Sequence, residues 1–316
     1  MDDGEPSYIS SAGNFILPDD NEDIVSFGGT DTVSGIDFSS VTLSSKAYSS
    51  SINQKVVTSI TSFDYENTGT ISSKDLLNLN NDIDIYIENP IVAAFDNVTN
   101  DSSYDKYFEV NTQLFLLSYG VQLYVNEKYD DSINSRIFYQ QLYQSIFDEY
   151  DDAIQNGLDL SEYIETKDFL NVYINSAVES ALGLSDGTLE DETLDSLINM
   201  LSFMLPVISS RSDEDITRAI ISYASGAFII DIANLANSSI DSTRLDSYTS
   251  AGILQLIASD QNIDAASLVQ TLDLRDDNIS TLEDEAIDFS PLSNDLIEAG
   301  SNYYGLSIII DPPQNG

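Results

Sequence analysis

The chain has 316 residues, and 11 Lys and Arg against 54 Asp and Glu leave a net charge of −43 at pH 7. Phosphate recognition needs clustered cations, so direct binding to nucleic acid or to an anionic membrane surface is excluded. Zero Cys and zero His exclude disulfides, thiolate nucleophiles, imidazole or thiolate metal sites, and every Ser-His-Asp or Cys-His mechanism.

Residues 1–45 are rich in Ser, Thr, Gly and Asp, and the β-prone pieces at 23–27 and 41–43 are punctuated by Gly28-Gly29 and Ser34-Gly35. This predicts an extended arm carrying short strands. From 46 to about 80 the pattern turns helical; residues 82–88 then alternate strictly up to Pro90, which predicts one half-buried strand. The stretch 46–95 therefore reads as a helix-loop-helix unit plus a strand. The polar run 96–106 is the expected domain boundary.

From 107 to 300 the chain reads as one multi-helical domain. Leu114, Leu117, Val121, Leu123 and Val125 form an apolar face, and so do Ile133, Ile137, Leu142, Ile146 and Tyr150, ending at an Asn156-Gly157 cap. Thr188 with Asp191 resembles a capping box for a helix that Pro206 closes, and Ser212 with Asp215 opens the next. Further helices are expected over 241–259, 264–272 and 281–298. The apolar stretches 194–207 and 219–236 are interrupted by Asn199, Ser202, Pro206, Ser225 and Asp231. They read as buried core helices and not as membrane spans, which need about 18 uninterrupted apolar residues. Residues 301–316 are expected to hold a strand and a tail ending on Pro312-Pro313. Hydrophobic residues make up 42% of the chain, above the signature of disorder. The expected fold is mainly α, a multi-helix bundle-like domain with a small β-containing N-terminal part.

One segment carries a recognisable chemistry. Phe63-Asp64-Tyr65-Glu66-Asn67-Thr68-Gly69-Thr70-Ile71-Ser72-Ser73-Lys74-Asp75-Leu76 resembles the twelve-residue calcium loop of the EF-hand family, and its Ser72 and Asp75-Leu76-Leu77 look still more like the dockerin variant. The resemblance implies oxygen ligands from Asp64, Glu66, Thr68, the Thr70 carbonyl, Ser72 and Asp75, with Gly69 at the sharp turn and Ile71 pointing inward. It implies calcium as the cofactor. Glu66 stands where Asp or Asn is usual and Thr68 is a neutral ligand, so weak binding at high calcium is expected. Such loops pair, and the nearest second copy, 273–280, is one residue short before its Ile and carries Arg275 at a ligand position.

Other acidic pairs (Asp19/Asp20, Asp151/Asp152, Asp276/Asp277) and the run 283–285 arise readily among 54 acids, and zero Trp removes the usual sugar-stacking platform. They read as solvated faces rather than as the two carboxylates of a hydrolase. Tyr139, Tyr143 and Tyr150 read as a core stripe. Asn97, Asn100, Asn237 and Asn278 match the N-glycosylation pattern, which matters only in a glycosylating secretory route.

Only six lysines accompany abundant Ile, Asn, Tyr and Ser, so positive charge is depleted beyond what base composition explains. An extracellular, cell-surface or periplasmic setting rich in salt or divalent cations fits this, with the cytoplasm of a salt-adapted organism as the alternative. The acidic Met1-Asp2-Asp3-Gly4-Glu5 has no basic n-region and no apolar h-region follows, so the chain is expected to be either cytoplasmic or an exported chain in its mature form. The expected function is that of an exported, calcium-stabilised, non-enzymatic surface structural or interaction protein, an assembly subunit or a lipoprotein-like binding protein, with a protein partner or self-assembly and bound divalent cations. The alternatives are an acidic module that mimics nucleic acid for a basic partner and, behind it, a carboxylate-only hydrolase.

Overall fold

The first helix begins where two threonines satisfy each other's backbone. Thr58 Oγ1 accepts from the Thr61 amide at 3.2 Å, and Thr61 Oγ1 accepts from the Thr58 amide at 2.8 Å. This reciprocal cap opens α1 (Ser59–Glu66); after a loop, Ser72 caps the single turn α2 (Ser73–Leu76). Ahead of them β1 (Ile24–Phe27) and β2 (Thr42–Ser45) pair antiparallel, Ile24 opposite Ser45 and Phe27 opposite Thr42. The other side of β2 lies on α1, where Ser62 Oγ accepts from the Ser44 amide at 2.9 Å and donates to the Ser44 carbonyl at 3.3 Å. A side chain thus satisfies backbone groups that an edge strand would leave open.

The computed structural model describes residues 24–27, 42–46, 56–95, 102–129, 133–155, 163–185, 191, 193–209 and 214–263. The helices expected at 264–272 and 281–298, the strand expected in 301–316, Thr188, Ser212 and the Asn156-Gly157 cap lie outside them.

After α2 come α3 (Pro90–Phe95), α4 (Ser102–Phe115), one π-helical turn (Leu116–Gly120), α5 (Val121–Tyr129), α6 (Ser135–Gln155), α7 (Lys167–Leu182), α8 (Leu194–Ser209), α9 (Glu214–Ser225), α10 (Ala227–Ala236), α11 (Ser242–Asp246) and α12 (Gly252–Gln261). The described chain is mainly α with a small β-containing N-terminal part, as the sequence predicts. Thr166 caps α7, which ends on Gly183 at φ +66° with the Leu184 amide reaching back to the Glu179 carbonyl at 2.8 Å, the pairing of a Schellman motif. The π turn is fastened from two sides: Tyr173 donates to the Leu117 carbonyl at 2.9 Å and Ser118 to the Leu114 carbonyl at 2.7 Å.

The buried side chains form one cluster from Ile60 to Ala258. In it α6 packs on α7, α7 on α8, α5 on α10 and α9 on α12, while α1 seats against α4 and α6. Ile60, Phe63, Leu76 and Leu77 are fully buried in the same cluster as Tyr107, Leu142 and Ile146. The 96–106 run, expected to be a domain boundary, therefore does not divide the core, and α4 already begins inside it at Ser102.

Three further expectations change. Residues 82–88 form turns and not a strand. Asp84 Oδ1 accepts from the Tyr86 amide at 3.0 Å, Glu88 Oε1 accepts from the Asp84 amide at 3.0 Å, and the Ile87 and Glu88 amides reach the Asp84 carbonyl. Local carboxylates thus offer the backbone an alternative to a ladder, while Ile83 and Ile85 still face inward. Pro206 lies inside α8 and does not close it. It forfeits one backbone hydrogen bond near the helix end, but Met204, Leu205, Val207 and Ile208 around it are all buried, and that packing carries the helix on to Ser209. The helix expected over 241–259 is two, because Asp241 caps α11 through the Thr243 and Arg244 amides and the chain turns again before Gly252.

Among the described residues Ala219–Ala236 is the one segment long and apolar enough by composition to cross a membrane, and 67% of it is buried inside the protein. It breaks at Gly226, which has φ −108° and ψ −97°. It belongs to the core helices α9 and α10.

Candidate functional site

The calcium-like loop joins α1 to α2, and its acids point apart. Asp64 receives the Tyr86 hydroxyl and, at 3.2 Å, the Lys46 ammonium from the end of β2. Glu66 is buried and accepts from Arg136 Nε of α6 at 2.6 Å. Asp75 Oδ2 accepts from Ser72 Oγ at 2.6 Å while Ser72 Oγ accepts from the Asp75 amide at 3.1 Å. Thr68, Thr70, Ser72 and Asp75 are exposed. Asn67 closes the loop from within: its Nδ2 donates to the Ile71 carbonyl at 2.9 Å and to Ser73 Oγ at 3.0 Å, and its Oδ1 accepts from the Gly69 amide at 2.9 Å.

These placements do not fit a caged calcium ion. The ligand set is right in chemistry, all oxygen, but Asp64 and Glu66 are each turned onto a cation of the chain. Among the described residues no three carboxylates gather where an ion could sit. Gly183 is the described glycine with positive φ, so Gly69 bends the chain without a left-handed backbone. Asp64, Glu66, Ser72 and Asp75 act here as an ion-pair anchor, a second ion-pair anchor and a helix cap.

Beside the loop a cavity of about 410 Å³ opens between Asp64, Ser72 and Lys74 on one side and Asp82, Asp84 and Tyr86 on the other. Its one ammonium is already engaged, since Lys74 Nζ donates to the carbonyls of Asn81 and Ile83 at 2.8 and 3.0 Å.

Three acids that the sequence did not single out as site residues are buried in polar clusters. Asp191 precedes α8 and accepts from Tyr124 and Tyr129 at 2.6 and 2.8 Å through Oδ2, and from the Thr193 amide and hydroxyl through Oδ1. Burial pulls its pKa up, but the hydroxyls of Tyr124, Thr193 and Tyr129 outweigh that and hold it below the ordinary carboxylate value. The same burial, with Asp191 beside them, raises both tyrosines. Glu165 accepts from Gln113 at 2.6 Å and Ser209 at 2.5 Å. Asp231 on α10 accepts from Arg244 Nε at 2.7 Å and Tyr248 at 2.5 Å, and Arg244 Nη2 pairs with Asp260 at 2.6 Å. Each carboxylate is surrounded by donors, the arrangement of a tie between elements.

The chain matches no protein-family model, no curated protein and no solved structure.

Of the remaining expectations, Tyr139 and Tyr143 are buried as a core stripe; the Tyr139 hydroxyl is pushed up to about 12 by burial and donates to Ser59 at 3.0 Å. Asn237 is exposed at the end of α10 and donates to Glu127. Asn97, Asn100, Asn278, the 273–280 segment and the acidic runs at 19–20, 276–277 and 283–285 lie outside the described residues, as do the side chains of Tyr150, Asp151 and Asp152.

Proposed function

We propose that this chain is a non-enzymatic interaction protein, an exported surface or assembly subunit whose carboxylate exterior meets cationic groups of a partner. The observation that supports it is the direction of the cations. Lys46, Lys74, Lys128, Arg136, Lys167 and Arg244 each reach an acceptor of the chain itself. Each is thus engaged within its own chain, and 11 cations could never neutralise 54 anions, so a large excess of carboxylates remains. Such a surface steers basic partners at long range and repels acidic ones. Calcium enters this reading as a counter-ion of the surface, bridging carboxylates of the chain and its partner or of two copies. The buried acids support the non-catalytic part, because their lone pairs already serve Tyr, Ser, Gln and Arg donors of the fold.

The test is a titration of the full chain with lysozyme as a basic probe, read by calorimetry at physiological and at high salt, with light scattering in millimolar calcium beside it. A saturable complex of fixed stoichiometry at physiological salt, or calcium-dependent assembly, supports the reading. A chain that stays monomeric in calcium and gives no saturable complex at physiological salt overturns it.

A further inference from the structure

The loop between α1 and α2 already holds a cation, and it is covalently attached. Lys46 Nζ lies 3.2 Å from Asp64 Oδ2 and 3.3 Å from the Asn67 carbonyl oxygen. Those oxygens belong to the first and fourth positions of the calcium-like loop, so the ammonium contacts a carboxylate and a main-chain carbonyl of the loop together. The third-position acid, Glu66, is held by the Arg136 guanidinium instead, and the ninth and twelfth positions, Ser72 and Asp75, are hydrogen-bonded to each other. A calcium ion would need the Asp64, Glu66, Ser72 and Asp75 oxygens turned inward together; here two side-chain cations and one helix cap have divided them.

We propose that the Lys46 ammonium is the resident cation of this loop, and that the loop is a metal-independent clasp fastening the β1–β2 hairpin to α1. Its position in the chain gives it that role. Lys46 directly follows β2, and its reach to Asp64 and Asn67 crosses from the hairpin to the end of α1. Ser62 joins the same two elements one helical turn earlier through the Ser44 amide and carbonyl. Tyr86, donating to Asp64 from the 81–87 turns, brings a third segment to the same carboxylate. Arg136 does for α6 what Lys46 does for the hairpin. The loop's acids thus tie three neighbours to one helix end through side chains of the chain itself.

The experiment uses the full chain and compares wild type with Lys46→Met, Lys46→Arg, Asp64→Asn, the double variant Lys46→Met/Asp64→Asn, and Asp64→Asn/Asp75→Asn. Lys46→Met and Asp64→Asn should each lower Tm by about 2–4 °C, the double variant should lose little more than either single one, and Lys46→Arg should retain most of the wild-type value. Calcium calorimetry should give wild type and Asp64→Asn/Asp75→Asn the same stoichiometry and the same thermal shift, because the metal meets only the general surface. A Lys46→Met chain that melts like wild type, or additive losses in the double variant, overturns the clasp. One calcium site present in wild type and missing from Asp64→Asn/Asp75→Asn overturns the resident ammonium.

Discussion

The Gly69 amide donates to the Tyr143 hydroxyl across 3.1 Å, and that same hydroxyl fills the space where a Cβ at residue 69 would stand. Gly69 is therefore required by the close approach of a side chain from α6 and not by a left-handed backbone. Tyr143 reaches the loop from a fixed base, edge-on to Phe63 at 5.5 Å and beside Phe147 at 6.0 Å.

Gly69→Ala should destabilise the protein by about 1–3 kcal/mol, because the methyl group and the Tyr143 hydroxyl need the same volume. Tyr143→Phe removes the obstacle, so in that background Gly69→Ala should become nearly neutral, helped by the lower chain entropy of Ala when unfolded. A double-mutant cycle in urea measures this coupling. Equal costs in both backgrounds would mean that the glycine serves its backbone after all.

Asp191 sets a pH dependence whose sign follows from its environment. Its folded-state pKa is depressed, so its stabilisation is present above the unfolded carboxylate value, near about 3.9, and is lost as pH falls through the lower folded value. Asp191→Asn should cost about 2–3 kcal/mol at neutral pH, the order of a hydrogen-bonded charge. The gap to wild type should shrink as pH falls below about 4. Denaturant midpoints between neutral and strongly acid pH check this; a gap constant across that range would show that packing, not ionisation, carries the site.

Periodicity made the helices legible, because an apolar face at 3.6-residue spacing has to be buried somewhere: Leu114, Leu117, Val121 and Val125 are buried, and Leu123 is half-buried against the same core. It failed where short-range polar contacts decide the backbone. At 82–88 the alternation of buried Ile83 and Ile85 with exposed Asp82 and Asp84 is real, yet the Asp84 and Glu88 carboxylates capture backbone amides and turn the chain. The loop's ligand spacing was legible too. What the spacing could not contain is that Lys46, eighteen residues before Asp64, and Arg136, seventy residues after Glu66, arrive at those acids. The ties of Asp191, Glu165 and Asp231 were invisible for much the same reason: beyond Thr193, their donors Tyr124, Tyr129, Gln113, Ser209, Arg244 and Tyr248 come from other segments of the chain.

Arg244 should be among the most sensitive surface-proximal residues. It pairs with the buried Asp231 and the more open Asp260, and these two carboxylates raise its pKa further against the opposing effect of burial. Arg244→Met leaves Asp231 charged, buried and served only by Tyr248 in the described network, at a cost of about 3–5 kcal/mol. Adding Asp231→Asn removes the stranded charge and should recover a substantial part of that loss. Chemical denaturation of the single and double variants tests this. If the second substitution makes matters worse, Asp231 is held mainly by Tyr248 and not by the guanidinium.

Stability should rise with added sodium chloride, and the sign depends on which of two electrostatic effects is larger. Screening weakens the ion pairs Lys46–Asp64, Arg136–Glu66 and Arg244–Asp260, but each partly exposed pair contributes only about 0–1 kcal/mol to begin with. The excess of 43 negative charges repels across the whole compact surface and relaxes when the chain expands. Raising salt shortens the screening length from about 30 Å at 0.01 M to about 3 Å at 1 M, which removes most of that repulsion while the more buried pair at Asp231 is the least affected. The melting temperature should therefore climb by about 5 °C or more over that range, and most of the climb should come at low concentration, where screening rather than solvent exclusion acts. A flat or falling curve would mean that the ion pairs inside the fold outweigh the repulsion outside it.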